Sequence, residues 1–519
     1  MADVYRTKAA LPVARIPISA VLVVLSSLVS LHGSGTVAII AICALFCLEG
    51  FFLATFTRII FHDRSLLRAA SVMSLISIAT YTFLFPYINA LELWVDEIQV
   101  IRFGQLPLSD IAKTVMREHV AVPPLDYWNM WFWNHLAQRA PVSIMEFVYR
   151  IPYMIMHTLS AILIAFSFRN IFPKALLFTD RLLIYLAFCL YFYNPWLLTY
   201  SYEVRFYGPM LLGGAVVLYL YYHDKLFEPE YAAIPLLFAL NSVYQFIILS
   251  PFLLLSLILP TVRKRSITLR IGFLCMALLI LPFLFIPASP HGLPATYRIR
   301  ESLLYLYYFY FDTPWKQIIA AELVVVAIFF RRRSAYLIGV SALMASAVAL
   351  LNARMNYMFF GAKHFLFTLP FLSMAILELY LIHRSTIFRW IVTSTLLAMF
   401  ILPFFTHLEQ TLKNETMAAK SPMGLKVLFQ KSLLDKTDIM VEYGDASEED
   451  ISYVKKAISL YSSTYRQIRV REYRFGDGCD AQRKAQRSIL YIIPQTSMCA
   501  DIWNSSVHIF GARVLFPLR

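Results

Sequence analysis

Three places in this 519-residue chain set ionisable side chains together beside apolar runs. Asp96 and Glu97 follow Leu93-Trp94-Val95. Glu203 and Arg205 stand two residues apart in NPWLLTYSYEVRFYGPM, residues 194–210, with apolar stretches at 182–190 and 211–222. Lys363 and His364 precede a further apolar run. Adjacent carboxylates offer a general base to a hydroxyl, an effect of about 10²–10⁴-fold in rate. A guanidinium suits an anionic leaving group through its bidentate fork, and an ammonium does so as a point charge. A base, an anion clamp and apolar flanks together describe group transfer from a phosphate carried on a lipid. The plainer alternative pairs Glu203 with Arg205 or a neighbouring loop and makes Tyr200, Tyr202 and Tyr207 an interfacial aromatic belt.

The elements that must carry these residues follow from composition. The chain is 59% hydrophobic and 15% charged, with a mean hydropathy of +0.63. Soluble domains are about 45–50% apolar and about 25% charged. The surplus lies in continuous runs of about 15 to 25 residues, the length that crosses a bilayer core of about 30 Å. Spanning segments are helices or closed barrels, and runs without alternation are helices. The chain is therefore expected to be an all-α polytopic membrane protein.

Its formal net charge of +14 does not point to nucleic acid. The basic residues cluster in short loops, such as Arg58, Arg64 and Arg68, Arg263-Lys264-Arg265 and Arg331-Arg332-Arg333. Short basic loops face the cytoplasm. With those loops inside, about thirteen spans fit. They lie near 17–31, 36–57, 69–90, 145–168, 182–199, 208–222, 232–259 (two short helices), 271–287, 317–330, 334–351, 364–382 and 390–405. An odd count puts the tail outside, together with all three ionisable clusters. Residues 1–68 then form two extra N-terminal spans, 69–405 a transmembrane core with an outer loop at 91–144, and 406–519 an extracytoplasmic α/β domain. In that tail, 438–443, 466–475 and 488–493 read as strands, and Ser447-Glu448-Glu449-Asp450 opens a helix with a capping-like start. Cys479 and Cys499 lie there too, where an oxidising compartment lets them pair; two separate thiols are the alternative. Trp128, Trp131 and Trp133 have the spacing of an amphipathic helix lying on the membrane.

Residues 93–224 resemble the GT-C fold glycosyltransferases that use polyprenyl-phosphate sugars. The nearest branch holds lipopolysaccharide glycosyltransferases of the Rgt type, aminoarabinose transferases and protein O-mannosyltransferases. Four blocks carry the resemblance in order: Leu93-Trp94-Val95-Asp96-Glu97; His119 with Pro123-Pro124-Leu125-Asp126-Tyr127-Trp128; Tyr149-Arg150-Ile151-Pro152; and Asn194-Pro195 through Tyr200-Ser201 to Glu203, Arg205 and Tyr207. Lys363-His364 with Pro370 stands where the family has a late Arg-Tyr block. Val243-Tyr244 replaces a His-Tyr pair often found in the family.

The resemblance implies an inverting transfer of sugar from a polyprenyl-phosphate donor to a hydroxyl of an envelope glycolipid, glycan or protein. Asp96 would be the base, with Glu97 the alternative. Arg205 would hold the departing phosphate, and Glu203 would orient Arg205 or bind sugar hydroxyls. Tyr207, Lys363 and His364 would complete the donor site. His119 would serve donor or acceptor, or be a plain loop histidine. Arg150 is expected to tie the loop to a helix end rather than touch substrate. No cofactor is expected, and a divalent metal is not favoured. The implied location is a bacterial inner membrane, with the site extracytoplasmic. The rival reading is a transporter or a flippase of lipid-linked sugar, which should show broken helices at mid-membrane and paired halves.

Overall fold

A computed structural model of the chain describes residues 64–117 (except 92 and 94), 125–141, 144–169, 178–223 and 368–382. It also describes residue 429, short segments between 438 and 516, and isolated helical positions between 300 and 342. The expected spans at 17–31, 36–57, 232–259, 271–287, 317–330, 334–351 and 390–405 lie outside the continuous described segments. Cys479 and Cys499 lie outside them as well.

Nine helices of seven residues or more are described: α1 Arg64–Ala90, α2 Val95–Phe103, α3 Leu108–Arg117, α4 Leu125–Ala137, α5 Met145–Arg169, α6 Phe178–Phe192, α7 Pro195–Ser201, α8 Tyr207–Tyr222 and α9 Leu369–Ile382. Among the described residues, two helical segments, Leu66–Asn89 and Met145–Arg169, are long and apolar enough to cross a bilayer. α1 also exposes large apolar side chains at 72, 75, 78, 83 and 87, with Leu75 64% and Phe83 62% accessible. Water penalises such a stripe, and hydrocarbon does not.

The run expected to span 182–199 is two helices. α6 stops at Phe192 and α7 restarts at Pro195. The break has a local cause. The Asn194 side-chain oxygen accepts from the backbone N–H of Trp196 (3.1 Å) and Leu197 (3.3 Å). Pro195 then takes the first helical position, where a missing N–H costs nothing. Asparagine at the cap and proline after it form a strong helix start, and here they override a continuous apolar pattern. Residues 91–144 also carry helices, α2, α3 and α4.

By its contacts the chain divides into two compact units, 1–78 with 107–126 and 153–404, and 79–106 with 127–152 and 405–519. In the first, α8 packs on α7 and on α9, and α6 packs on both α7 and α9. A Cβ at Gly214 of α8 would lie 3.4 Å from Pro370 Cγ and 3.8 Å from Phe371 Cε2, so small residues bring α8 and α9 close. His157 of α5 is fully buried, stacked on Phe192 of α6 with centroids 4.9 Å apart.

The second unit holds a five-stranded sheet: β1 Asp438–Tyr443, β2 Val470–Arg474, β3 Ser488–Ile493, β4 Ser505–Ile509 and β5 Ala512–Phe516, in the order β2-β1-β3-β5-β4. β1 runs parallel to both β2 and β3, while β5 is antiparallel to β3 and to β4. Parallel neighbours need a crossover, and residues 458–462, helical and buried at Leu460 and Tyr461, lie between β1 and β2. β1, β2 and β3 fall on the three segments that read as strands. β4 and β5 lie beyond the segments that read as strands.

Candidate functional site

In the second unit, one arginine ties three helices together. Arg150 of α5 sends Nη2 to Glu97 Oε2 (2.9 Å) and Nε to Glu97 Oε1 (3.3 Å). Its Nη1 donates to the carbonyls of Ile88 and Leu91, both at 2.8 Å. Those carbonyls belong to the last turn of α1 and the residue beyond it, where intrahelical donors run out and positive charge is favoured by the helix dipole. The guanidinium therefore joins three elements: α5, the C-terminal end of α1 and the first turn of α2. This is the tie to a helix end expected of Arg150. Glu97 is 1% exposed and Arg150 2%, so the pair is a desolvated bidentate clamp. Glu146 and the Tyr461 phenol also act on the guanidinium through space.

Asp96 is the second residue of α2, next to Glu97. Successive helix positions lie about 100° apart around the axis, so one carboxylate of the pair can be committed to Arg150 without committing the other position.

Two more bonds hold α2 in place. Asn134 Nδ2 of α4 donates to the Ile101 carbonyl (3.1 Å). A Cβ at Gly104 would lie 2.7 Å from that Nδ2 and 2.8 Å from Met130 Cγ, so only glycine permits the approach of α2 to α4. Trp133 Nε1 donates to the Val148 carbonyl (2.8 Å). Val148 stands four residues before Pro152, which has no N–H to return the helical bond. The indole fills that vacancy, giving Trp133 a hydrogen-bonding role. Trp128 is buried, whereas Phe132 and Leu136 face outward.

In the first unit, Glu203 and Arg205 occupy the non-helical turn 202–206 between α7 and α8. Tight turn bonds hold it: Arg205 N to Glu203 O at 2.8 Å and Glu203 N to Tyr200 O at 3.4 Å. From 201 to 211, Arg205 alone is not buried. Its Nη1 donates to the Tyr207 hydroxyl (3.1 Å), and its guanidinium carbon lies 5.5 Å from the Tyr207 ring centroid and 5.6 Å from that of Phe206. Both are cation–π distances. Tyr207 is fully buried and meets Tyr200 edge to face at 5.1 Å. Burial above all, with the Glu203 carboxylate second, pushes the Tyr200 phenol up, so it remains a hydrogen-bond donor. Phe206 is the N-cap of α8, and its side chain has no acceptor for the first-turn N–H groups. An aromatic shelf and a half-exposed guanidinium form an arrangement suited to an anion.

Of the residues singled out from sequence, Glu203, Arg205 and Tyr207 are brought together in this turn, and Asp96 and Glu97 open α2. His119, Lys363 and His364 lie outside the described residues. Sequence reasoning gave Asp126 no role. It is the second residue of α4 and 1% exposed, and its Oδ1 accepts from the Tyr153 hydroxyl at 3.3 Å. Burial pushes this carboxyl up to about 7, with the Tyr153 bond acting in the opposite sense. The available signal was an acidic residue directly before Tyr127-Trp128 and two positions after Pro124.

No protein-family model matches the chain, and no curated protein matches its sequence. Among solved structures it is similar to ArnT from Cupriavidus metallidurans, crystallised in the apo state. The identity is 10% and the TM-score 0.47, over 86% of this chain and 98% of that one.

Proposed function

We propose that the chain is an integral membrane glycosyltransferase of the GT-C type, moving a sugar from a polyprenyl-phosphate donor to a hydroxyl at the extracytoplasmic face. The observation that carries this reading is the Arg205 turn: one guanidinium left accessible in a stretch where every residue from 201 to 211 is otherwise buried, set against the Tyr207 and Phe206 rings. The four motif blocks in register support it from the sequence side.

Asp96 takes the proton from the acceptor hydroxyl as that oxygen attacks the anomeric carbon. The bond from that carbon to the phosphate oxygen breaks, and the configuration inverts. The departing group gains negative charge, and a forked donor such as Arg205 binds the more charged form better. That is stabilisation specific to the transition state. A phosphate leaves with little protonation, so one carboxylate suffices. Glu97 is assigned to positioning, because both its oxygens engage Arg150. Glu203 backs the turn. His119, Lys363 and His364 remain proposed donor-site residues on the motif alone. The apolar spans let the polyprenyl tail stay in lipid; lifting it into water costs about 0.8 kcal/mol per CH₂. Envelope glycolipid, glycan or protein is the proposed acceptor class, and a bacterial inner membrane the proposed location.

The test is purified protein in vesicles with a labelled polyprenyl-phosphate sugar. Release of free polyprenyl phosphate together with label on a hydroxyl acceptor supports transfer. Intact donor appearing in the opposite leaflet supports a flippase instead.

A further inference from the structure

Asp126 and Tyr153 make a contact that the mechanism above does not use, and it leads to the Arg205 turn. The Tyr153 hydroxyl donates to Asp126, at 3.3 Å to Oδ1 and 3.5 Å to Oδ2. Both residues are buried, at 1% and 2% exposure. An ionisable group removed from water is costly unless hydrogen-bonded, so this bond fixes where the Tyr153 ring lies. The ring is in turn the seat of α8. A Cβ at Gly208 would lie 2.9 Å from Tyr153 Cδ1 and 3.4 Å from Tyr153 Cα and Met156 Sδ. Helix α8 therefore starts in direct contact with Tyr153, with no room for adjustment between them. Tyr207, the residue before Gly208, accepts from Arg205 Nη1. The path runs from Asp126 through Tyr153 to Gly208 and Tyr207, and ends on the guanidinium.

We propose that Asp126 is a positioning residue for the anion clamp: by holding Tyr153 it sets the start of α8, and so the place at which Arg205 meets the departing polyprenyl phosphate. This rests on the function proposed above. Asp126 touches no reacting atom. It acts through geometry, and a misplacement of about 1 Å far from the chemistry can cost about 10²-fold. The carboxyl's raised titration, up to about 7, agrees with a group kept from water and engaged with a single phenol.

Three variants of the full chain, reconstituted in lipid, test this: Tyr153→Phe, Asp126→Ala and Asp126→Asn. Two readouts are needed, amide hydrogen exchange across 203–210 and inhibition by free polyprenyl phosphate. Tyr153→Phe and Asp126→Ala are expected to speed exchange in 203–210 about tenfold and to weaken inhibition by about 10- to 100-fold. Asparagine keeps an acceptor for the phenol, so Asp126→Asn should rescue both readouts to within about twofold of the parent. Unchanged exchange in Tyr153→Phe and Asp126→Ala overturns the proposal. So does faster exchange with undiminished inhibition, or an asparagine variant as damaged as the alanine one. Failure of the underlying function shows separately, as parent protein that polyprenyl phosphate does not inhibit while exchange still responds to the variants.

Discussion

Asp96 and Glu97 are neighbours with the same chemistry, and the structure commits Glu97 to a partner. Glu97 is locked to Arg150 in a buried bidentate pair, whereas Asp96 occupies the next position on α2. Two experiments separate their roles. Asp96→Asn should lower the rate of sugar transfer by about 10²–10⁴-fold and leave thermal unfolding unchanged. Arg150→Ala strands the Glu97 carboxylate in a dry site, so unfolding should become easier by about 3–5 kcal/mol. Asp126 adds a pH signature. Its folded pKa is raised to about 7 from an ordinary 3.8, so the unfolded chain gives up this proton first as pH rises. The folded state binds more protons in between, and stability falls from about pH 4 to about pH 7, by about 4 kcal/mol for three pKa units. Melting scans across that range should show the loss in the parent and a flatter profile in Asp126→Asn. The residue types at these positions were legible in the sequence. Their partners were not: Arg150 finds Glu97 at a separation of 53 positions, and only tertiary packing makes that match.

At the scale of elements, local punctuation overrides apolar length. A window average merges α6 and α7 into one span, yet Asn194 and Pro195 make a helix start that ends α6 at Phe192. That break frees 202–206 to form the Arg205 turn. The same lesson appears at Pro152, where a missing backbone donor is made good by the Trp133 indole. The strands with the longest β-favouring runs were recognisable from pattern, whereas β4 and β5 depend on pairing with β3 and with each other. The seat of α2 on α4 is the most exacting contact. Gly104→Ala drives a methyl to 2.7 Å from Asn134 Nδ2, the group that holds the Ile101 carbonyl. The variant should melt earlier, by about 1–3 kcal/mol, as read by thermal unfolding of purified protein.

For the whole molecule, the membrane reading joins composition with surface. A chain 59% hydrophobic whose first described helix exposes Leu75, Ile78 and Phe83 is stable only where those side chains meet hydrocarbon. The ion pair of Glu97 with Arg150 and the Tyr153 hydrogen bond to Asp126 offset the cost of burying ionisable groups in such a chain. If transfer is the activity, cells lacking this protein should lose one glycan or glycolipid species in envelope mass spectrometry, and Asp96→Asn should fail to restore it. The most direct measurement compares binding with turnover in that variant, using labelled polyprenyl-phosphate sugar and purified protein. Donor affinity equal to the parent's, with lipid-phosphate release down by about 10²-fold or more, is the predicted result. Release at the parental rate from Asp96→Asn contradicts the account.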